Sequence, residues 1–131
     1  MGERNLDILL RQMTPELRGN YVFCTVDEAS FAALALKPLG FFAEREGITL
    51  IVSQEDADRC RLQYTFVASL ISLGIHSDLE AVGFLATVCT ALADAGISTN
   101  VISGYYHDHL FIPHEEAERA LTLLTQLSTG H

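Results

Sequence analysis

The stretch from residue 73 to residue 113 constrains the fold of this 131-residue chain more than any other part. It contains a predicted helix between two boundary signals. Ser77 and Glu80 have the spacing of a capping box, which begins a helix, and Gly96 supplies the left-handed residue that ends one. Apolar residues at helical spacing predict the buried face of this helix: Leu79, Val82, Leu85, Ala86, Cys89, Leu92 and Ala93.

Two short strands are predicted after this helix, at residues 97–104 and 110–112, with a polar turn at residues 105–109. Along the whole chain, hydrophobic spacing and turn residues predict the order α β (α) β β α β α β β α. The bracketed segment, residues 27–35, is ambiguous and is assigned to a turn or strand edge. Antiparallel hairpins combined with helices on one side of a sheet predict an α+β layered architecture.

Composition argues against several kinds of partner. The formal net charge is −9, and the eight basic residues are scattered along the sequence. Nucleic acid and anionic membrane surfaces require clustered Lys and Arg, so neither is an expected partner. No run of about 18 apolar residues occurs, and acidic residues interrupt the N-terminal apolar run, so no signal peptide is predicted. Three widely spaced cysteines indicate free thiols in a reducing compartment, and the expected location is the cytoplasm.

Several segments of the sequence match one family pattern: residues 78–85 (DLEAVGFL), 95–97 (AGI), 102–103 and Asp108, and upstream residues 44–52 (EREGITLIV) and 55–57. Together they resemble the ACT domain, a small regulatory module of amino-acid metabolism. The resemblance is to small stand-alone bacterial ACT proteins, and the chain is also similar to the ACT regions of aspartokinases and to eukaryotic arginine sensors.

The resemblance implies a ferredoxin-like ACT fold of the βαββαβ type. Residues 63–131 are expected to form a C-terminal ACT domain, although they provide only βαββα. The missing fourth strand is expected to come from residues 1–62, which form an incomplete N-terminal ACT-like half. The chain is therefore predicted to contain two intertwined ACT-like halves that share an antiparallel sheet.

The resemblance also implies an amino-acid site at an interface between ACT units. Asp78 is suited to an ammonium or guanidinium group, and N–H groups at a helix start are suited to a carboxylate. Helix capping explains Ser77 and Asp78 equally well without a ligand. The residues carried over from the family are a loop of Gly74, Ile75, His76, Ser77, Asp78 and Leu79, a facing strand of Thr99, Asn100, Val101 and Ile102, and Asp108 in the turn.

Neither catalysis nor metal binding is predicted. The sequence has no Gly-x-Ser-x-Gly elbow, no phosphate-binding Gly loop and no His-Glu-x-x-His motif. His107 and His109 would project to one face of an extended hairpin, and with His114 they are the best zinc candidates. Solvated turn histidines are the favoured interpretation, because structural zinc usually needs four ligands at recognised spacing. No cofactor is expected.

The function predicted from these features is that of a non-catalytic regulatory or sensor protein that binds a small amino acid. Its target would be a metabolic enzyme or regulator on another chain. A homodimer is expected, because open sheet edges tend to be covered by pairing. A structural or protein-interaction ACT module without a ligand is the alternative. A metal-dependent enzyme with zinc at His107 and His109 is a third hypothesis.

Overall fold

The computed structural model of the protein describes residue 2 and residues 4–130. The observed order of helices and strands is the predicted order. The assignment of residues 27–35 to a turn or strand edge is wrong, because they contain a short helix. Asp27 caps that helix by accepting the backbone N–H of Ser30 at 2.7 Å. The elements are α1 (Leu6–Gln12), β1 (Pro15–Val26), α2 (Glu28–Ala32), β2 (Gly40–Ala43), β3 (Ile48–Ser53), α3 (Gln54–Arg59), β4 (Val67–Leu73), α4 (Phe84–Asp94), β5 (Asn100–Ser103), β6 (Asp108–Pro113) and α5 (Ala117–Thr129), with a single 3-10 turn at His114–Glu116 before α5.

The strands form a six-stranded antiparallel sheet in the order β2-β3-β1-β4-β6-β5. β1 pairs with β3 from Tyr21 opposite Ser53 to Val26 opposite Ile48. The final hairpin pairs β5 with β6, and its last pair places Ser103 opposite Asp108. This arrangement confirms the predicted α+β, ferredoxin-like fold with antiparallel strands.

The chain divides into two compact units that do not follow the two halves of the sequence. One unit contains the described residues up to Arg18 together with those from Ser69 onward, and the other contains Gly19–Ala68. In the first unit, α1 contacts both α4 and α5. The N-terminal helix and the first residues of β1 therefore belong with the C-terminal part of the chain, which makes the two halves intertwined.

Each unit has its own hydrophobic core. α1 contributes Leu9 and Met13, both fully buried, to the core of the first unit. The other members of that core are Ile71, Leu73, Phe84, Val88, Leu92, Ile97, Leu110, Ile112, Ala120 and Leu124. The core of the second unit consists of Val22, Cys24, Ile48, Leu50, Val52 and Ala57. None of the helices in the described part of the chain has the length and apolar character that a membrane span requires.

The start of α4 differs from the prediction. Gly83 is its N-cap residue, with φ of +90°, and a helix cannot continue through this left-handed conformation. The predicted capping box is therefore wrong, and residues 77–83 form a loop. Leu79 and Val82, assigned to the buried face, are 63% and 86% exposed. The helix buries Phe84, Val88 and Leu92 instead.

The end of α4 follows the prediction more closely. The helix ends at Asp94, and Gly96 adopts a φ of +76° while its N–H donates to the carbonyl of Ala93. The following strand begins at Asn100 and not at residue 97, because the N–H of Ile97 donates to the carbonyl of Leu92 and so belongs to the end of α4. β6 begins at Asp108, so this residue lies in a strand and not in the turn.

Candidate functional site

The loop between β4 and α4, residues 74–83, is fixed to the first residue of β6. The Ser77 hydroxyl donates a hydrogen bond to Oδ2 of Asp108 at 2.9 Å. Both residues are buried, at 8% and 5% exposure. The Asp78 carboxylate accepts the backbone N–H of Glu80 at 2.8 Å and so shapes the next turn of the loop. The hydroxyl assigned to helix capping thus connects two segments that are distant in sequence.

A cavity of about 120 Å³, here called the inner cavity, lies at this connection. The residues that line it include two acidic and two hydroxyl residues, Asp78, Asp108, Ser77 and Ser103, together with the start of α4. Gly83 has no side chain with which to cap the helix. The first N–H groups of a helix have no partner within the helix, and they carry its positive dipole end. The inner cavity therefore places carboxylates beside an uncapped helix start.

A second cavity, of about 180 Å³, adjoins the first and is called the outer cavity. The two share Asp78 and Leu79 in their linings, and the outer cavity is also lined by Gly2, His76 and Tyr105. Aromatic rings cluster at its rim: the ring centroids of Tyr105 and Tyr106 are 5.0 Å apart, and those of His76 and Tyr106 are 5.5 Å apart. A carboxylate beside aromatic rings is an environment that attracts cations.

Two residues near the N-terminus, Gly2 and Arg4, lie on the same loop. Arg4 places Nε 3.0 Å from Oδ2 of Asp78 and Nη2 2.6 Å from Oε2 of Glu80. The hydrogen bond from the Glu80 N–H and the ion pair with Arg4 both lower the pKa of the Asp78 carboxyl. The backbone of Gly2 is so close that a Cβ there would lie 2.5 Å from the backbone N of Asp78. Neither Gly2 nor Arg4 was among the predicted site residues.

The structure brings together only part of the predicted site. His76, Ser77, Asp78, Leu79 and Asp108 line one or both cavities. The N–H of Gly74 donates to the carbonyls of Met13 and Thr14, and the carbonyl of Ile75 lies 3.3 Å from Nδ1 of His107. These backbone groups of Gly74 and Ile75 are therefore already used within the protein. The last group of predicted residues lines neither cavity: Thr99, Asn100, Val101 and Ile102.

Three residues of this last group lie in a strand, and Thr99 immediately precedes it. Residues 100–103 form β5, an exposed strand at the edge of the sheet. Ser103, the last residue of this strand, lines the inner cavity, whereas residues 100–102 do not.

The histidines of the final hairpin are held by other polar groups. Nδ1 of His109 lies 2.8 Å from the hydroxyl of Ser72, and the ring centroids of His107 and His109 are 6.5 Å apart. Among residue 2 and residues 4–130, no group of three or more His, Cys, Asp or Glu side chains is arranged to hold a metal ion.

His109 is expected to make the stability of the protein dependent on pH. Burial lowers its pKa, and the nearby charges of His107 and Arg18 lower it further, while Asp108 acts in the opposite direction. In the unfolded chain the imidazole titrates near its ordinary value of about 6.5 and binds a proton more readily than in the folded protein. The contribution of neutral His109 to the free energy of unfolding is therefore complete above about pH 6.5 and is lost as the pH falls through the lowered pKa.

Urea unfolding at pH 8 and at pH 5.5 measures this dependence. His109→Gln should reduce the difference in the free energy of unfolding between the two pH values. His114→Gln, at an exposed position before α5, is the matched control and should leave that difference as in the wild type. An equal pH dependence in the wild type and in His109→Gln would contradict the assignment.

Comparison with known proteins agrees with this architecture. A ferredoxin-like α+β sheet with intertwined halves is the fold of a class of small regulatory modules. Residues 1–69 and residues 66–126 each match the ACT domain family. The chain therefore belongs to the ACT domain family and contains two tandem ACT domains. No curated protein sequence matches the chain.

Solved structures with the same fold include one at substantial sequence identity. A Vibrio cholerae protein, VC0802, described as of unknown function and a possible transport protein, is 48% identical; the match covers 94% of this chain and 95% of that one, with a TM-score of 0.83. The ligand-free regulatory subunit of aspartate kinase from Thermus thermophilus is 14% identical over 88% of this chain and 97% of its own, with a TM-score of 0.62. Escherichia coli aspartokinase III in complex with aspartate and ADP is 17% identical over 86% of this chain, but over only 32% of its own, with a TM-score of 0.63.

Proposed function

We propose that this protein is a non-catalytic regulatory or sensor protein that binds a small amino acid in the inner cavity. The observation that carries the proposal is the presence of Asp108, Asp78 and the uncapped start of α4 in the lining of one cavity. An amino acid is a zwitterion, so it needs an anionic partner and a cationic or N–H partner a few ångströms apart. The carboxylates provide the first and the helix start provides the second.

Asp108 is the principal partner of the ligand ammonium in this proposal. The residue is 5% exposed, and burial of a charged carboxylate is costly unless donors or a cation compensate for the lost water. Ser77 supplies one hydroxyl donor. A carboxylate has about four acceptor positions, so an ammonium group can be added without displacing that hydroxyl. Asp78, which lines both cavities, is the second anionic partner.

The regulatory part of the proposal is supported by the family and by the likeness to regulatory subunits of aspartate kinase. The protein would transmit the presence of its ligand to a metabolic enzyme or regulator on another chain, in the cytoplasm and without a cofactor. It would act as a homodimer, since β2 and β5 lie at the edges of the sheet and can pair with a second copy. Pairing through β5 would bring Thr99–Ile102 of one copy toward the ligand site of the other.

Thermal denaturation with each of the twenty amino acids tests the proposal. A ligand at about a hundred times its dissociation constant adds about 2.7 kcal/mol to the free energy of unfolding. That gain raises the melting temperature by several degrees for a chain of this length. A rise with one or two amino acids would name the effector. No rise with any of them at millimolar concentration would contradict amino-acid sensing and favour a structural or protein-interaction module. Light scattering coupled to size exclusion tests the homodimer in the same samples.

A further inference from the structure

Gly2 and Arg4, which precede α1, both lie against the β4–α4 loop. Together with Asn5 they are called the N-terminal strap here. Asn5 is the N-cap of α1 and accepts the backbone N–H of Ile8 at 3.2 Å. α1 is itself anchored by the fully buried Leu9. The strap therefore begins at a fixed point and crosses the loop, with Gly2 against the backbone of residues 76–78.

The close approach of Gly2 shows how tightly the strap lies on the loop. A Cβ at this position would be 2.5 Å from both the carbonyl carbon of Ser77 and the N of Asp78, and 2.8 Å from the carbonyl oxygen of His76. Those distances are shorter than any ordinary contact between a Cβ and backbone atoms, so only glycine fits without a shift of the loop. Gly2 also lines the outer cavity. The strap thus forms one wall of the cavity that adjoins the proposed amino-acid site.

Arg4 supplies a cation to the carboxylate that the proposed ligand would use. Its guanidinium contacts Asp78 at 3.0 Å and Glu80 at 2.6 Å. The side chains of Arg4 and Glu80 are 54% and 78% exposed, while that of Asp78 is 10% exposed. Ion pairs with exposed partners are weak because water screens them and competes for them. A cationic group of a ligand can therefore replace the guanidinium of Arg4. The carboxylate of Asp78 stays in place and would pair with that cationic group instead.

We propose that the N-terminal strap is a built-in competitor for the ligand. Arg4 occupies Asp78 in the free protein, and an amino acid with a long cationic side chain displaces it on binding. This inference rests on the proposed function, which places the ammonium and carboxylate of the ligand in the inner cavity. The side chain of that ligand extends into the outer cavity, whose lining of Asp78, His76 and Tyr105 suits a guanidinium or ammonium group. Ligand binding is thereby coupled to release of the strap, which gives the protein two states for a partner to distinguish.

Calorimetric titration of Arg4→Gln tests the competition, with L-arginine and L-lysine as probes. Removing the competing cation should tighten binding of a cationic probe by about two- to fivefold, the range expected for an exposed ion pair. L-Citrulline has nearly the shape of L-arginine without its charge, and its affinity should change by less than that. Arg59→Gln is the matched control, since Arg59 also forms an exposed ion pair, with Asp56 at 3.0 Å in the other compact unit. It should leave the affinity for both cationic probes unchanged.

The side-chain Nε–H resonance of Arg4 in ¹⁵N-labelled protein shows directly whether Arg4 is paired with Asp78. In the free wild type it should differ from the position of a solvated arginine and exchange slowly with water. Asp78→Ala, which removes the acceptor of this N–H, should move it toward the solvated position, and unlabelled L-arginine should do the same in the wild type. The Nε–H of Arg59 should not move in either experiment.

The possible outcomes distinguish a failure of the strap proposal from a failure of the proposed function. If a cationic amino acid binds but the Arg4 resonance stays in place, or if Arg4→Gln leaves its affinity unchanged or weaker, the strap proposal is overturned and the proposed function stands. If the Arg4 side chain is already solvated in the free wild type, the strap proposal is also overturned. If no amino acid binds to any variant, both proposals are overturned.

Discussion

Leu9→Ala is expected to lower the free energy of unfolding by about 2–5 kcal/mol, the usual cost of truncating a buried leucine. Leu9 is fully buried in the core that also contains residues of α4, β6 and α5. The expected fall in the melting temperature is several degrees at this chain length. Urea unfolding monitored by circular dichroism gives the free energy. The result matters because it tests whether the N-terminal helix is an integral part of the unit formed by the C-terminal residues.

The matched control is Leu39→Ala, which makes the same substitution at a leucine that is 52% exposed. It should change the free energy of unfolding by no more than about 0.5 kcal/mol. A cost below about 1 kcal/mol for Leu9→Ala would mean that α1 does not pack in this core. The intertwined description of the two halves would then be wrong.

Asp108→Asn is expected to weaken binding of the effector amino acid by about thirtyfold or more. Removing the charge of one partner in a buried, hydrogen-bonded ion pair costs about 2 kcal/mol or more, and each 1.4 kcal/mol is a factor of ten in affinity. Asparagine has nearly the same shape, and its side-chain oxygen can still accept the hydrogen bond from Ser77. Loss of binding would therefore report the missing charge. Calorimetry with the amino acid identified by thermal denaturation measures the effect.

Asp94→Asn is the control for this substitution, because Asp94 is an exposed residue at the last position of the same helix α4. Its affinity for the effector should equal that of the wild type. Circular dichroism and the melting temperature of the free Asp108→Asn protein establish that the fold is intact. Unchanged binding by a folded Asp108→Asn protein would exclude this carboxylate as the partner of the ligand ammonium.

The order of the elements could be predicted from the sequence because each element carries a local signal. Asn5 caps α1 and Gly96 ends α4 as their sequence positions indicate. The predicted start of α4 is wrong because Ser77 and Glu80 have the spacing of a capping box but do not form one. Gly83 was the evidence in the sequence against a helix through this position, since glycine within a helix costs about 1 kcal/mol relative to alanine. Its left-handed conformation breaks the predicted helix and exposes Leu79 and Val82.

The candidate site was predictable only where the family resemblance supplied it. Asp108 and Asp78 were named from the matching motifs, and both line the inner cavity. The hydrogen bond from Ser77 to Asp108 spans 31 residues, and the contact from Arg4 to Asp78 spans 74. No hydrophobic period or local spacing encodes a contact between segments that far apart. Such contacts arise when the fold brings the N-terminus, the β4–α4 loop and the final hairpin together within one unit.

The measurement that tests the central proposal most directly is amide mapping by ¹⁵N–¹H NMR during titration with the amino acid that stabilises the protein. The proposal predicts that the largest shift changes occur at Ser77, Asp78 and Asp108 and in the first turn of α4, at Phe84–Ala86. All of these residues except Phe84 line the inner cavity, and Phe84 is the first residue of α4. Shift changes confined to the second compact unit, or the absence of any change with all twenty amino acids, would contradict it.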